Sequence, residues 1–233
     1  MIPRILCIES STDLCSVSLF EGMSLLAHEE SPESNSHAEK LAPIIKKVME
    51  KARISFMQLD AVAVSNGPGS YTSLRVGLST AKGICFATSK PLIALNSTHI
   101  LIDGNLEKAK NLNCHHLIAM IDARRMEAYC TVFNTEGPVP LECKPVIFEK
   151  DSFSAVETIS GHIGICGNGA LKWKNFRDSD RYKILSESTD ARFMGRLALR
   201  RFEEKTFDNL AYTTPLYIKP PNITNSKKNR WGL

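Results

Sequence analysis

No Cys-x-x-C pair occurs in this chain, and its seven cysteines are odd in number and scattered: Cys7, Cys15, Cys85, Cys114, Cys130, Cys143 and Cys166. A zinc knuckle, a thioredoxin-like dithiol and a closed disulfide framework are therefore excluded. Five of the seven lie in or beside apolar runs, which reads as small buried hydrophobes of a reducing compartment. The six histidines, His28, His37, His99, His115, His116 and His162, include no i, i+4 pair. The spacing that brings two imidazoles of one helix to a zinc ion is thus missing, and no metal site is expected. Cys114-His115-His116 would alternate sides along an extended chain. There is no Gly-x-Ser-x-Gly elbow for nucleophilic hydrolysis. No apolar run approaches the roughly 20 residues needed to cross a bilayer. The start Met1-Ile2-Pro3-Arg4-Ile5 runs directly into a strand pattern, without the apolar segment and cleavage site of a signal peptide. A cytoplasmic protein with no membrane partner is expected.

What remains is an ordinary globular composition: 233 residues, 43% hydrophobic and 23% charged, with no low-complexity block. The net charge of +4 is unevenly placed. Residues 1–105 carry nine basic and ten acidic side chains, and the rest carry twenty and fifteen. The surplus is largely a tail holding Lys219, Lys227, Lys228 and Arg230 with no acid, which suits either nucleic-acid contact or simple solvation.

The pattern of elements repeats. Strands are expected at Ile5–Glu9, Cys15–Phe20 and Ser24–His28, with a hairpin turn at Glu21-Gly22. A helix follows over Ser36–Ala52, with Leu41, Ile44, Ile45 and Val48 at helical spacing and Pro43 marking a late start or a kink. Then come a strand at Ala61–Val64, a helix, a strand at Pro91–Leu95 and a helix from near Ser97. Beyond residue 105 a second three-strand meander begins: Leu117–Asp122, Glu127–Phe133 and Leu141–Phe148. It is followed by a short helix at Ser152–Ile159, a strand and glycine turn at Ile163–Gly169, a strand at Tyr182–Leu185, and a helix from Ala191 capped by Thr189-Asp190. Each meander opens with a strand that ends in an acid, Glu9 or Asp122. The fold class expected is α/β, a duplicated actin/Hsp70/sugar-kinase-like fold. Its two βββαβα-type halves would be residues 1–105 with the partner-binding helices and 106–233 with the basic tail.

Folds of this type hold nucleotide phosphates between the halves, so Glu9, Ser11, Thr12, Asp122 and Arg124 are candidate cleft-lining residues. Kinases of this architecture place a glycine after the first acid. Here Ser10-Ser11-Thr12-Asp13 follows, equally suited to a side-chain-stabilised turn. Gly164-x-x-Gly167-x-Gly169 is a short second-half glycine turn, a weak nucleotide signal that could simply end a strand. The most informative stretch runs from Asn66 to Gly83. Gly67-Pro68-Gly69 is a tight turn and Ser70 can cap the following helix. Small residues recur at Ser73, Gly77 and Ala81. A glycine inside a helix costs about 1 kcal/mol against alanine, so the stripe needs an offset. Either a second helix approaches along it, or it packs on the chain's own sheet.

Leu6-Cys7-Ile8-Glu9-Ser10-Ser11-Thr12, Gly67-Pro68-Gly69-Ser70-Tyr71-Thr72-Ser73-Leu74-Arg75-Val76-Gly77, Ala81-Lys82-Gly83, Asp122-Ala123-Arg124-x-x-Glu127-x-Tyr129 and Pro215-x-Tyr217-Ile218-Lys219 together resemble the TsaB (YeaZ) family, in order and over nearly the whole chain. The resemblance implies a non-catalytic subunit of the bacterial machinery that makes threonylcarbamoyladenosine at adenosine 37 of tRNAs reading codons that begin with adenine. It implies a TsaD-like catalytic paralogue and a TsaE-like ATPase as partners, a homodimer when alone, and tRNA met through the complex. ATP would be used by the complex, with no cofactor bound by this subunit alone. The TsaD-type His-x-x-x-His metal motif is missing here, which favours the scaffold member and speaks against a peptidase. Docking through the N-terminal helices is expected, with a partner interface of Leu41, Ile44, Ile45, Val48, Ser73, Gly77, Thr80 and Ala81. Ser73 stands where the family usually has glycine, and Glu9 where most members have aspartate. The chief rival is a small-molecule kinase or ATPase of the same fold using the Glu9/Asp122 cleft, and a third reading is a tRNA-binding module relying on the tail.

Overall fold

The computed structural model describes residues 2–31, 37–137, 140–149, 151–153, 161–177, 179–186 and 188–219. Two five-stranded sheets carry the same topology. The first is built from β1 (Arg4–Glu9), β2 (Cys15–Glu21), β3 (Ser24–Ser31), β4 (Ala61–Gly67) and β5 (Leu92–Asn96), in the order β3-β2-β1-β4-β5. The second uses β6 (Cys114–Asp122), β7 (Glu127–Asn134), β8 (Lys144–Ile147), β9 (His162–Cys166) and β10 (Tyr182–Ser186), in the order β10-β9-β6-β7-β8. Read from the far edge, the second order is the first with each strand replaced by its counterpart. In both, two antiparallel hairpin steps join a parallel pair at the central strand. The duplicated α/β architecture expected from the two meanders is the one observed.

Both faces of each sheet are covered, so the central strands read as unbroken apolar runs rather than alternations. Leu6 and Ile8 of β1 point with Val62 and Val64 to one side; Ile5 and Cys7 point with Ala61 and Ala63 to the other. Helices α1 (His37–Ala52) and α2 (Tyr71–Thr88) cover the first side. The second side is closed by α5 (Gly195–Glu203), the last helix described, which follows a 3-10 turn at Ala191–Met194. Helix α3 (Ser97–Asn111) lies between the sheets, with Ile100 in the core of the first and Leu101, Ile102 and Ala109 in that of the second. The expected boundary at residue 105 falls inside this helix. Helix α4 (Ala170–Phe176) covers the outer face of the second sheet through Trp173.

Local expectations are met with a few shifts. β4 continues past Val64 through Ser65 to Gly67, since β5 pairs with it that far. β8 starts at Lys144, shorter than the apolar run suggested. Gly22 has φ of +57° in the β2–β3 hairpin, where a side chain would be strained. The Ser70 hydroxyl does not cap α2; it accepts a hydrogen bond from Ser73 Oγ at 3.0 Å. The helix expected at Ser152–Ile159 and the tail from Asn222 onward fall largely or wholly outside the described residues, as does Ser36. Six cysteines are buried and Cys143 is half-buried, all with free thiols. No helix among the described residues is long and apolar enough to cross a membrane.

Candidate functional site

β1 ends at Glu9, β4 carries Ser65 beside it, and the loop from Ser10 turns back over the first turns of α2. Glu9 is 0% exposed. Its Oε1 accepts the Ser11 amide at 2.6 Å and the Ser65 hydroxyl at 3.0 Å. Oε2 makes no well-formed hydrogen bond among the described residues, nor does Ser11 Oγ. Burial pushes the Glu9 carboxyl above the usual carboxylate range, while the neighbouring Ser11, Ser65 and Thr189 groups only soften that cost. The acid is therefore held toward its neutral form.

The Ser10–Thr12 loop is locked on all sides. The Ser10 amide donates to Ser65 Oγ at 3.2 Å, and the Ser10 hydroxyl to the Ser73 carbonyl at 3.1 Å. The Ser70 amide donates to the Ser11 carbonyl at 2.8 Å. Thr12 Oγ1 lies 2.8 Å from Thr189 Oγ1, a buried link between the start of the chain and the segment that leads into α5. Ser16 Oγ accepts the Ala191 amide at 2.9 Å. Sequence reasoning missed Ser65, Ser16 and Thr189; a serine closing an otherwise apolar strand was the available signal for Ser65.

This geometry explains the small-residue stripe. A Cβ added at Gly77 would run into Ser10 Oγ, and one at Gly69 into the Ser11 carbonyl. The stripe receives the chain's own β1–β2 loop, so the close neighbour it needs is internal. Of the eight residues expected at a partner interface, seven are buried within this chain. Leu41, Ile44, Ile45 and Val48 are buried against β2 and β3 in the first core, together with Ala81. Ser73 and Gly77 are buried as well, and Thr80 alone of the eight is half-exposed. Met49 of the same helix and Leu59 lie in the same buried cluster.

In the second half, Asp122 ends β6 in a different setting. Its Oδ1 accepts the Arg124 amide at 2.7 Å and an ion pair from Lys172 of α4, and its own amide donates to Asn168 Oδ1 at 2.8 Å. Lys172 Nζ also donates to the carbonyls of Arg125 at 2.7 Å and Glu127 at 3.1 Å. The turn is thereby nailed to α4, although Arg124 and Arg125 sit at φ of +68° and +50°. Arg124 is exposed at the turn. The glycine turn of β9 is spent internally: the Gly167 amide donates to the Ser186 carbonyl at 2.9 Å and the Gly169 amide to the Met120 carbonyl at 3.0 Å. Glu9, Ser11 and Thr12 are brought together, and Asp122 and Arg124 are brought together. No hydrogen bond or ion pair among the described residues joins the two sets.

A buried acid whose carboxyl is pushed upward has a pH signature. Glu9 binds its proton more tightly in the folded chain than in the unfolded one. Its contribution is favourable below the ordinary carboxylate range and is lost as pH rises through that range toward the elevated folded value. Glu9→Gln should therefore melt higher than the parent protein at neutral and alkaline pH, with the advantage shrinking as pH falls to 5 and below. Melting curves across pH 4.5–8.5 check this; a gap that widens toward acid would mean that Glu9 is ionised in the fold.

Among known proteins, the family model of TsaD, tRNA N6-adenosine threonylcarbamoyltransferase, matches residues 30–140. The tRNA threonylcarbamoyladenosine biosynthesis protein TsaB of Escherichia coli K12 is 29% identical over 228 residues, covering 93% of this chain and 94% of that protein. The TsaB of Haemophilus influenzae is 30% identical over 128 residues, 54% of this chain and 51% of that one. The solved structure of YeaZ from Pseudomonas aeruginosa superposes with a TM-score of 0.74 at 20% identity, covering 93% of this chain and all of that one. The resemblance to TsaB read from the motifs thus extends along almost the full length of both chains, and the fold is that of YeaZ.

Proposed function

We propose that this TsaB-like chain takes part in tRNA threonylcarbamoyladenosine biosynthesis as a non-catalytic subunit. It would organise a TsaD-like catalytic paralogue, with a TsaE-like ATPase, for modification of adenosine 37 in tRNAs reading codons that begin with adenine. The observation that carries the reading is the end-to-end likeness to the E. coli protein of that pathway. The state of the cleft residues supports the accessory role. Glu9 through Thr12 are at most 4% exposed, burial pushes the Glu9 carboxyl above the usual carboxylate range, and the glycine-turn amides are already bonded. A kinase or ATPase would need an accessible acid and free amides facing a phosphate. In this reading the subunit by itself binds no nucleotide, and ATP is used by the complex in the cytoplasm.

The partner surface is placed on the outward face of α2 rather than its buried stripe. Gly83 has open space beyond it, Phe86 is 79% exposed, and Ser79 and Thr72 complete the same face. A large apolar ring beside a bare backbone position is suited to burial against another helix. The same face would pair two copies when the catalytic partner is missing.

The test is restoration of the modified nucleoside in an E. coli strain depleted of its TsaB, read by mass spectrometry of digested tRNA. The cognate TsaD-like protein is co-expressed with this chain. The parent chain should restore the nucleoside and co-purify with the partner. Phe86→Asp should melt within about 2 °C of the parent, as surface changes do, yet lose both. No restoration and no complex with the parent would reject the reading.

A further inference from the structure

On β3, His28 and Glu30 are two residues apart and project from the same face of the strand. Asp190, from the segment that leads into the final helix, lies over them. One ligating atom from each of the three falls within 4.8 Å of the others. The imidazole is anchored at Nδ1, which lies 3.0 Å from Ser18 Oγ and 4.0 Å from Asp190 Oδ1, while Nε2 lies 3.3 Å from Glu30 Oε2. Metal-ligating histidines are held in this way, with one ring nitrogen bonded to a polar neighbour and the other left for the metal. The 3.3 Å separation is already the edge of a tetrahedron with bonds of about 2.0–2.2 Å.

A cation already stands at this place. The Arg192 guanidinium donates to Asp190 Oδ2 at 2.9 Å from Nε and 2.5 Å from a terminal nitrogen, and that nitrogen is 3.9 Å from Glu30 Oε2. Its side chain is 51% exposed while that of Asp190 is 5% exposed. The carboxylate is therefore the buried end of this ion pair and the guanidinium its solvent-facing end. Asp190 keeps its place without Arg192, because its Oδ1 also accepts the Arg192 backbone amide at 2.7 Å.

We propose that His28, Glu30 and Asp190 form a binding site for a late first-row divalent cation such as zinc, in competition with the Arg192 side chain. One nitrogen and two carboxylate oxygens suit zinc, with water as the fourth ligand. The ion ties edge strand β3 to the segment that carries the last helix back onto the first sheet, so binding is coupled to the closure of the fold.

The experiment uses the full chain without a histidine tag, stripped with chelator and titrated with zinc chloride by calorimetry at pH 7.5, with melting curves alongside. The parent protein should bind one equivalent and melt higher with zinc, and millimolar magnesium should do neither. His28→Ala should weaken binding at least tenfold, and Glu30→Gln should weaken it less. Arg192→Gln should strengthen it at least tenfold, since the resident competitor is gone. No binding by the parent, binding that survives His28→Ala undiminished, or an Arg192→Gln variant that binds no better would each overturn the proposal.

Discussion

Gly77→Leu is expected to remove most of the stability of the protein, and the reason lies within one chain. The leucine Cβ would meet the Ser10 hydroxyl, with Val64 Cγ2 3.7 Å away behind it. That hydroxyl is fully buried and bonded to the Ser73 carbonyl, so it cannot yield without losing its partner. Overpacking costs about 1–3 kcal/mol, and a buried hydroxyl stripped of its hydrogen bond adds about 1–3 more. The expected loss is at least about 3 kcal/mol, a fall in melting temperature of roughly 10 °C for a chain of this size. Gly77→Ala should be milder, and Ser10→Gly in the same chain should recover part of its cost, a coupling that distant sites do not show. Gly83→Ala is the control: nothing lies within 4 Å of an added Cβ there, and the change should be neutral or stabilising by up to about 1 kcal/mol. If Gly77→Leu melts like the parent and loses only its association with other chains, the internal packing described here is wrong.

The second large effect is at Trp173, the one tryptophan among the described residues and 0% exposed. Its ring is edge-on to Phe148 at 5.1 Å, Phe153 at 5.0 Å and Tyr182 at 5.7 Å, with Phe176 tilted against it at 5.7 Å. Truncation to alanine empties the centre of this cluster and should cost about 3–5 kcal/mol. Trp173→Phe should cost less than half of that. It keeps a ring in the cluster and removes an indole N–H that has no acceptor among the described residues. Denaturant unfolding of the three proteins gives the ranking. An alanine variant within 1 kcal/mol of the parent would show that the second sheet does not depend on this cluster.

Both effects separate two kinds of information in the chain. The sequence by itself determined the duplication: two meanders with matched apolar runs, each ending its first strand in an acid, and breakers at Gly22 and Gly67-Pro68-Gly69. Those signals are local, because strand pattern and turn chemistry depend on neighbours in the chain. It also determined the likeness to TsaB, which rests on ordered motifs. What a small residue or an acid faces is not local. Gly77 reads the same whether its neighbour is another protein's helix or Ser10, sixty-seven positions earlier in the chain. Glu9 and Asp122 hold equivalent positions in the repeat, yet one is buried among hydroxyls and the other is exposed against Lys172. His28, Glu30 and Asp190 share no spacing that a sequence reader would test, because the third comes from the return of the last helix onto the first sheet. Only the tertiary structure decided those environments, since burial and contact at such separations are created by the closure of the fold and by nothing in the adjacent residues.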